Sequence, residues 1–523
     1  LFIAQLEATG WPLESLQTLN LATTPIEAGT DKSRSTGASL FGRAMYDYKD
    51  KYLLSISMRY DGSSRFGDNN KWGFFPAISA GWKINEESFM ENVDWISLLK
   101  IRGSWGQSGN DRIGNYDYLA RLGQSTTVYG DNIVATAFPG NLRNPNLKWE
   151  TTTTRNIGLD LNFFRNRIQL SLDYFRNVTD DLLFNAPVPF TTGFNNFRTN
   201  LGSIENKGFE LDLTTINTTG NFKWRTKFNA STLENKILDM GENTKFTAEN
   251  RGAFFISQVG GPVSQFLVYR TDGLLQPEDF NITIIDNPNT SSGFPKRVTY
   301  EPLVPTLENR NQIPYNVKYV DQNGDGKINS DDMVPYGNNI PDLLYGITNT
   351  LSYKNIELSF LLQGQIGGDA MFLAQRQLDN GPTGGPNTMA RWLRANKYNS
   401  EIRLNEDPTP DLGVDMSWDG VTPQPSGWGG GYNEDNDDRR IYDTTYLRIK
   451  NITLAYTIPK SIDFLKGGKI FISAENLATF TDYIGFNPEV NTPGESNNSI
   501  MNGVDYTTFP LAKTITIGLN LTF

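Results

Sequence analysis

The chain contains no cysteine and no histidine. Without thiols it has no disulfide, no thiolate nucleophile and no Cys-ligated zinc or iron–sulfur centre. Without imidazole it has no Ser-His-Asp or Cys-His catalytic unit and no HExxH zinc site. Catalysis would rest on carboxylates or on a Lys or Tyr base. A two-carboxylate glycosidase survives that restriction, but no segment singles out a pair among 58 Asp and Glu, so no catalytic residue is assigned. Positive charge is also short: 47 Lys and Arg leave a net charge of −11. That balance argues against nucleic acid as a partner. Long apolar runs are missing, and with them any bundle of membrane helices. The first residues, LFIAQLEATGWPLESLQ, lack a basic segment followed by an apolar stretch. A signal peptide is not expected there, and the abrupt start points to a piece of something longer.

What the chain does have is aromatic content, 12% of residues, too high for a disordered chain. It also has a hydrophobic period of two. Lys513, Ile515, Ile517, Leu519, Leu521 and Phe523 share one strand face, opposite Thr514, Thr516, Gly518, Asn520 and Thr522. Tyr52, Leu54, Ile56, Met58 and Tyr60 alternate with Leu53, Ser55, Ser57, Arg59 and Asp61 in the same way. The pattern predicts strands at 38–47, 51–61, 73–84, 97–108, 151–163, 167–178, 203–215, 221–232, 343–353, 354–366, 441–458, 468–478 and 513–523. A further strand at Leu1–Leu6 would bring the total to about 14. Only 369–379 and 388–396 read as short helices.

The connections alternate in length. Short ones at Tyr48–Asp50, Asn85–Ile96, Phe164–Asn166, Ile216–Gly220, Tyr353–Lys354 and Pro459–Gly467 are interleaved with long ones. The long ones are 62–72, 109–150, 179–202, 233–342, 367–440 and 479–512. Short turns at one edge and long loops at the other are the pattern of an outer-membrane barrel. Strands of about eleven residues, tilted near 45°, rise about 25 Å, the height of the lipid-facing band. Lipid tolerates no unpaired backbone N–H or C=O, so the strands must be long and the sheet must close. Tyr46, Tyr48, Tyr52, Tyr60, Trp72, Trp82, Trp105 and Tyr174 near strand ends suit interfacial girdles. The expected fold class is all-β, an antiparallel transmembrane β-barrel with long loops, surrounded by outer-membrane lipids. The competing reading is a soluble, secreted β-rich glycan-binding module or adhesin. That reading requires a closed apolar core between two sheets.

One motif carries specific chemistry. Asp321, Asn323 and Asp325 stand at positions 1, 3 and 5 of a D-x-[DN]-x-[DN]-G loop, with Gly326 at the sharp turn. Lys327 would offer a backbone carbonyl, Asn329 a direct or water-mediated contact, and Asp332 a carboxylate where an EF-hand has Glu. All-oxygen ligands suit a hard cation, so the expected metal is Ca²⁺ in a structural role, with Mg²⁺ as runner-up. An Asx-rich turn held by its own side-chain-to-backbone bonds is the plainer alternative. The acidic run Glu434, Asp435, Asn436, Asp437 and Asp438 is a weaker candidate for a second cation site. Trp428 and Tyr432, in a Gly-rich stretch, are candidate substrate-binding residues because such rings stack on sugars or peptide side chains.

Several blocks resemble the SusC/RagA-like TonB-linked outer-membrane transporters of Bacteroidetes-type bacteria. They include YDYKDKYLLSISMRYDGSSRFG from Tyr46, LKIRGSWGQSGND from Leu99 and NPNLKWETTTTRNIGLDLNF from Asn144. YVDQNGDGKINSDDMVPYGNN from Tyr319 and YLRIKNITLAYTIP from Tyr446 continue the series. The resemblance runs from about residue 38 to the end. It implies a barrel of about 22 strands with an N-terminal plug, of which this sequence would be the C-terminal part. The plug and the TonB-contacting segment are not in it. It further implies active import of oligosaccharides or peptides, coupled to TonB through that N-terminal region, with a SusD-like surface lipoprotein as a lid. The family's periplasmic C-terminus would place every long loop outside the cell.

Overall fold

The computed structural model describes residues 2–9, 24–130, 132–242, 244–250, 252–286, 296–308, 312–314, 316–378, 436–459, 467–490, 501–506 and 508–522. Thirteen long strands form the frame: β1 Gly37–Tyr48, β2 Tyr52–Ser63, β3 Trp72–Lys83, β4 Ile96–Asn110, β5 Glu150–Phe163 and β6 Ile168–Asp180. They continue as β7 Ser203–Thr219, β8 Phe222–Ser231, β9 Leu343–Tyr353, β10 Ile356–Ile366, β11 Tyr446–Ile458, β12 Gly467–Thr481 and β13 Thr514–Thr522. Their hydrogen-bonding order is their chain order, with the short strand Glu234–Asp239 added beside β7. The hairpins β1–β2, β9–β10 and β11–β12 are antiparallel; the first two keep one register from turn to tip, and the third shifts register between Ile449 and Asn451. At the β1–β2 reversal Lys49 and Asp50 both take positive φ, 56° and 57°. That primed-turn geometry matches the twist of the flanking strands, and the Asp50 N–H donates to Asp47 Oδ1 at 2.8 Å.

Every strand expected along this frame is present. Two expectations need correction. The N-terminal strand, Phe2–Thr9, pairs with Thr24–Lys32 in a separate two-stranded sheet, so it does not add a strand to the frame. The expected strand 441–458 is two elements, Ile441–Asp443 and β11, because Thr444 and Thr445 turn the chain between loop and frame. Of the expected helices, 369–379 is a strand, Asp369–Phe372, followed by a single helical turn at Gln375–Leu378; 388–396 lies outside the described residues.

The faces of the strands decide between a barrel and a sandwich. Tyr52, Leu54, Ile56, Met58 and Tyr60 on β2 are exposed, while of their alternates Leu53, Ser55, Ser57 and Asp61 are half-buried and Arg59 is exposed. On β13 Ile515, Ile517 and Leu519 are exposed, Ile517 to 76%. A soluble sandwich would bury these side chains against a second sheet. Here the apolar alternates face outward, which is stable only if the solvent is lipid. Stacked pairs Tyr60–Trp72 and Tyr52–Trp82, with ring centroids 4.9 and 6.3 Å apart, stand near strand ends where girdles belong. Among the described residues no helix is long and apolar enough to cross a membrane; the crossing elements are strands.

The chain divides into two compact units, the first containing β1–β4 and most of β5, the second β8–β13. In the first, connections from three long loops pack together. Phe66, Ile113 and Leu147 are buried with Tyr118, Trp149 and Leu183 against them. In the second, the loops build small sheets of their own. Lys245–Asn250, Ala253–Gln258, Gln265–Tyr269 and Met333–Asn338 form one of four strands. Asp369–Phe372 pairs antiparallel with Ile441–Asp443, within the same β10–β11 connection, and parallel with Val504–Asp505 of the β12–β13 connection, joining two long loops. Within each unit, therefore, the long connections share one edge, as their alternation in sequence requires.

Candidate functional site

The loop cap of the second unit is a water-soluble core in miniature. Ala253, Phe255, Phe266, Val268, Met371, Leu373, Met501 and Val504 form one buried cluster drawn from three loops. Around it, buried charges are paired. Asp437 accepts from Arg439 at 2.6 Å and from Arg440 at 3.3 Å, with Asp437 and Arg440 both fully buried. Asp438 takes an ion pair from Arg270 at 3.0 Å and a hydrogen bond from the Thr271 hydroxyl at 2.6 Å. These carboxylates are thus engaged by arginines, and Asp438 pins the segment to Arg270 and Thr271, just after the strand Gln265–Tyr269. Glu434 and Asp435, the rest of that acidic run, lie outside the described residues, as do Trp428 and Tyr432.

A second buried arginine ties the cap to the frame. Arg448, on β11, donates to Glu489, to Asn487 Oδ1 at 2.8 Å and to the Thr479 hydroxyl at 2.9 Å. Glu489 also accepts from the Tyr446 hydroxyl at 2.7 Å and from Gln363 at 3.2 Å. Burial pushes the Glu489 carboxyl up, but the Tyr446 and Arg448 donors outweigh it and hold it below the ordinary carboxylate range. The chain after β12 is therefore folded back onto the polar face of β10 and β11.

The Asp321–Asp332 loop stands on a smaller core of Leu307, Val317, Tyr319 and Ile328. Its side chains are turned onto its own backbone. Asp321 accepts from the N–H of Gly324 at 2.6 Å and of Gly326 at 2.8 Å. Asn323 Oδ1 accepts from Asp325 N, Asp325 Oδ1 from Lys327 N, and Asn329 Oδ1 from Asp331 N. Asp332 is fully buried and accepts from Gln322 N at 2.8 Å and Asn329 N at 2.9 Å, tying the loop's two ends together. Positive φ at Gly324 and Gly326, 75° and 84°, lets the amides point inward. The Gly326 amide, helped by Gly324, holds the Asp321 carboxyl below its ordinary value. Among the described residues no three acidic side chains gather at ion-ligating spacing, so the Asx-turn network alone accounts for this conformation. Each carboxylate oxygen that accepts one N–H keeps a lone pair for a cation, and the oxygen-only donor set suits Ca²⁺.

The remaining candidate surface is the polar face of the strands. In the first unit Arg102 pairs with Asp173 and with Asp160 at 3.2 Å, beside a recess of about 500 Å³ that Lys100 and Ser104 also line. In the second, a recess of about 870 Å³ lies over β7–β10 between Asp212, Lys227, Tyr345 and Gln363.

Residues 14–477 match the family model described as TonB dependent receptor-like, beta-barrel. The chain belongs to that family. The TonB-dependent receptor P26 of Formosa agariphila is 35% identical over 93% of this chain and 46% of its own length. TonB-dependent receptor SusC of Bacteroides thetaiotaomicron is 30% identical over 94% of this chain and 44% of its own. The RagAB peptide importer in its open-open state superposes with a TM-score of 0.73 at 20% identity, covering 98% of this chain and 50% of that one. The chain thus spans about half the length of the relatives it matches. Family and fold together make it part of an outer-membrane β-barrel.

For this TonB-dependent receptor barrel, sequence reasoning located the oxygen-rich loop but missed the buried arginines. Arg448 had a visible signal. It lies in YLRIKNITLAYTIP, on the polar alternate of a strand, two residues from Tyr446. Its partners Asn487 and Glu489 lie about forty residues on, in a loop with no periodicity, and could not be matched to it.

Proposed function

We propose that this chain is the C-terminal barrel portion of a TonB-dependent outer-membrane importer of oligosaccharides or peptides. Membership of the receptor-like barrel family carries this reading. The outward apolar faces and the knitted loop cap give it a physical basis. Relatives are named as TonB-dependent receptors, and one structural neighbour is titled a peptide importer. A SusD-like surface lipoprotein closes over the loops, and TonB acts through an N-terminal plug region. Trp428 and Tyr432 contribute to the outer substrate vestibule, and Asp321, Asn323, Asp325, Lys327, Asn329 and Asp332 hold a structural Ca²⁺. The test is uptake of labelled oligosaccharide and peptide pools by cells with and without the full-length gene, repeated in a strain lacking TonB. Loss of uptake in both deletions is expected. Uptake that persists without TonB rejects the coupling, and pools indifferent to the gene reject import.

A further inference from the structure

The connection between β3 and β4, residues 84–95, is fastened to the lipid-facing side of the wall. Its Glu87 carboxylate is held by two aromatic side chains: the Tyr52 hydroxyl donates to Glu87 Oε1 at 2.7 Å and the Trp82 indole N–H at 3.0 Å. Lys51 Nζ donates to Oε2 at 3.2 Å. Tyr52 and Trp82 are cross-strand partners with stacked rings, on the alternate that carries Leu54, Ile56 and Ile78. That alternate faces outward, so Glu87 is anchored over the outer face and not over the polar one. Asn85 adds a second tie, accepting from the Leu99 N–H of β4 at 3.1 Å. Around the anchor run two short 3-10 turns, Ile84–Glu86 and Ser88–Met90. Ile84, Met90 and Val93 are half-buried, whereas Phe89 is 67% and Trp95 53% exposed. Trp95 precedes β4 by one residue and falls in step with Ile101 and Trp105, the exposed alternates paired with Trp82 and Ile78. The exposed rings are therefore continuous with the girdle pair and the lipid-facing band above it. The charges at this edge are of both signs. Lys51 and Lys83 are taken by Glu87 and Asp50, but Glu86, Glu91 and Asp94 are exposed and in no ion pair among the described residues. Lys49, over the Tyr48 ring at 5.2 Å, is a cation with no carboxylate partner among those residues.

We propose that residues 84–95 form an interfacial arm seated in the adjoining membrane leaflet, with Phe89 and Trp95 at the boundary of headgroups and acyl chains, and that the arm prefers zwitterionic phospholipid. Aromatic rings settle at that boundary, where an apolar body meets acyl chain and a polar edge meets headgroup. Glu87 is the positioning residue: by accepting from both girdle side chains it sets the depth of the arm. The headgroup class follows from charge. An anionic leaflet would bring its phosphates against three carboxylates that no cation of the fold compensates, well within a Debye length. A zwitterionic headgroup answers both signs at this edge. Its ammonium meets Glu86, Glu91 and Asp94, and its phosphate meets Lys49, each as a charge-assisted contact.

The test places a nitroxide at S88C, beside Phe89, in the full-length protein reconstituted into vesicles. This chain has no cysteine of its own, and any outside it is replaced. Accessibility of the label to oxygen, which concentrates among acyl chains, is read against accessibility to a water-soluble nickel chelate. In phosphatidylcholine–phosphatidylethanolamine vesicles oxygen should exceed nickel; in phosphatidylglycerol vesicles the balance should shift toward nickel. Nickel dominance in both overturns the arm. Equal depth in the two lipids overturns the headgroup preference, and the E86Q/E91Q/D94N variant should show that equality. F89S/W95S and, separately, E87A should lose the oxygen signal in zwitterionic vesicles while the barrel keeps its heat-dependent shift in gel migration. Unchanged depth in F89S/W95S overturns the contact assigned to the two rings. If either variant fails to insert, the comparison of the two vesicle types with the label alone still decides. A label shielded from nickel in native membranes but open to it in both vesicles would assign the face to a protein partner, and the proposal fails.

Discussion

Two parts of the second unit treat apolar side chains in opposite ways. On β13 Ile517 is 76% exposed, whereas in the loop cap Phe266 is 0% exposed. Both are held in strands. The difference is the solvent each region meets. The strand frame turns its apolar face to lipid and pairs its backbone from strand to strand. The cap meets water and must enclose a core, which it builds from pieces of three loops. One chain therefore obeys two burial rules, and the boundary between them runs where the long strands end.

The strongest way to break this comparison is to hollow out the cap. Phe266→Ala removes a fully buried ring packed 5.5 Å from that of Phe255. It should cost about 3–5 kcal/mol, confined to the cap. Protease should then nick residues 245–270 while the barrel still inserts and still shows a heat-dependent shift in gel migration. Loss of insertion would mean that cap and frame are a single cooperative unit.

The next effect sharpens the other side. Ile517→Arg on the lipid face should cost about 2–4 kcal/mol near the bilayer midplane. Thr516→Arg, one residue away on the polar face beside Ser473, should be milder. Reversible unfolding of the full-length protein in lipid vesicles measures both. Equal penalties would contradict the outward assignment of the apolar alternates.

These two regions were unequally legible. The frame could be read because a period of two is local. Each strand announces its faces in ten or so residues, and short turns fix its partner. Thus β2 and β13 were recognisable from their own side chains. The cap could not be read that way. The pairing of Met371 with Val504 joins residues far apart in the chain, across a loop partner at Ile441. No periodicity marks three-residue strands. The Asp321–Asp332 loop is the exception, because its ligand-type oxygens and glycines lie in one short window. The sequence left an ion loop and an Asx turn as alternatives, since both use the same oxygens on neighbouring groups.

Within that loop, a buried and an exposed carboxylate should behave differently. Asp332→Ala orphans the Gln322 and Asn329 amides and should cost about 1–3 kcal/mol locally. Asp325→Ala, whose carboxylate is exposed and accepts from Lys327 N at 2.9 Å, should cost less than about 1 kcal/mol. It should nevertheless abolish Ca²⁺ binding. Isothermal titration of full-length protein with CaCl₂ reads the second effect, and hydrogen exchange across 319–333 reads the first. Unchanged Ca²⁺ affinity in the Asp325 variant would remove that residue from the ligand set.

The smallest expected effect is a dependence on pH, and its sign follows from Asp321. The N–H of Gly326, with that of Gly324, holds this carboxyl below its ordinary 3.8 in the folded loop. The unfolded loop therefore binds a proton at higher pH than the folded one does. Stability from this group is fully present above 3.8 and is lost as pH falls through the lower folded value. Exchange of the Gly324 and Gly326 amides, corrected for intrinsic rates, should stay slow above 3.8 and quicken as the pH falls below it. Asp321→Asn should flatten that response, because the amide cannot titrate. A bound cation competes with the same proton, so millimolar Ca²⁺ should move the loss to still lower pH. If the transition is present but indifferent to Ca²⁺, the loop is an Asx turn that holds itself together and the metal assignment falls.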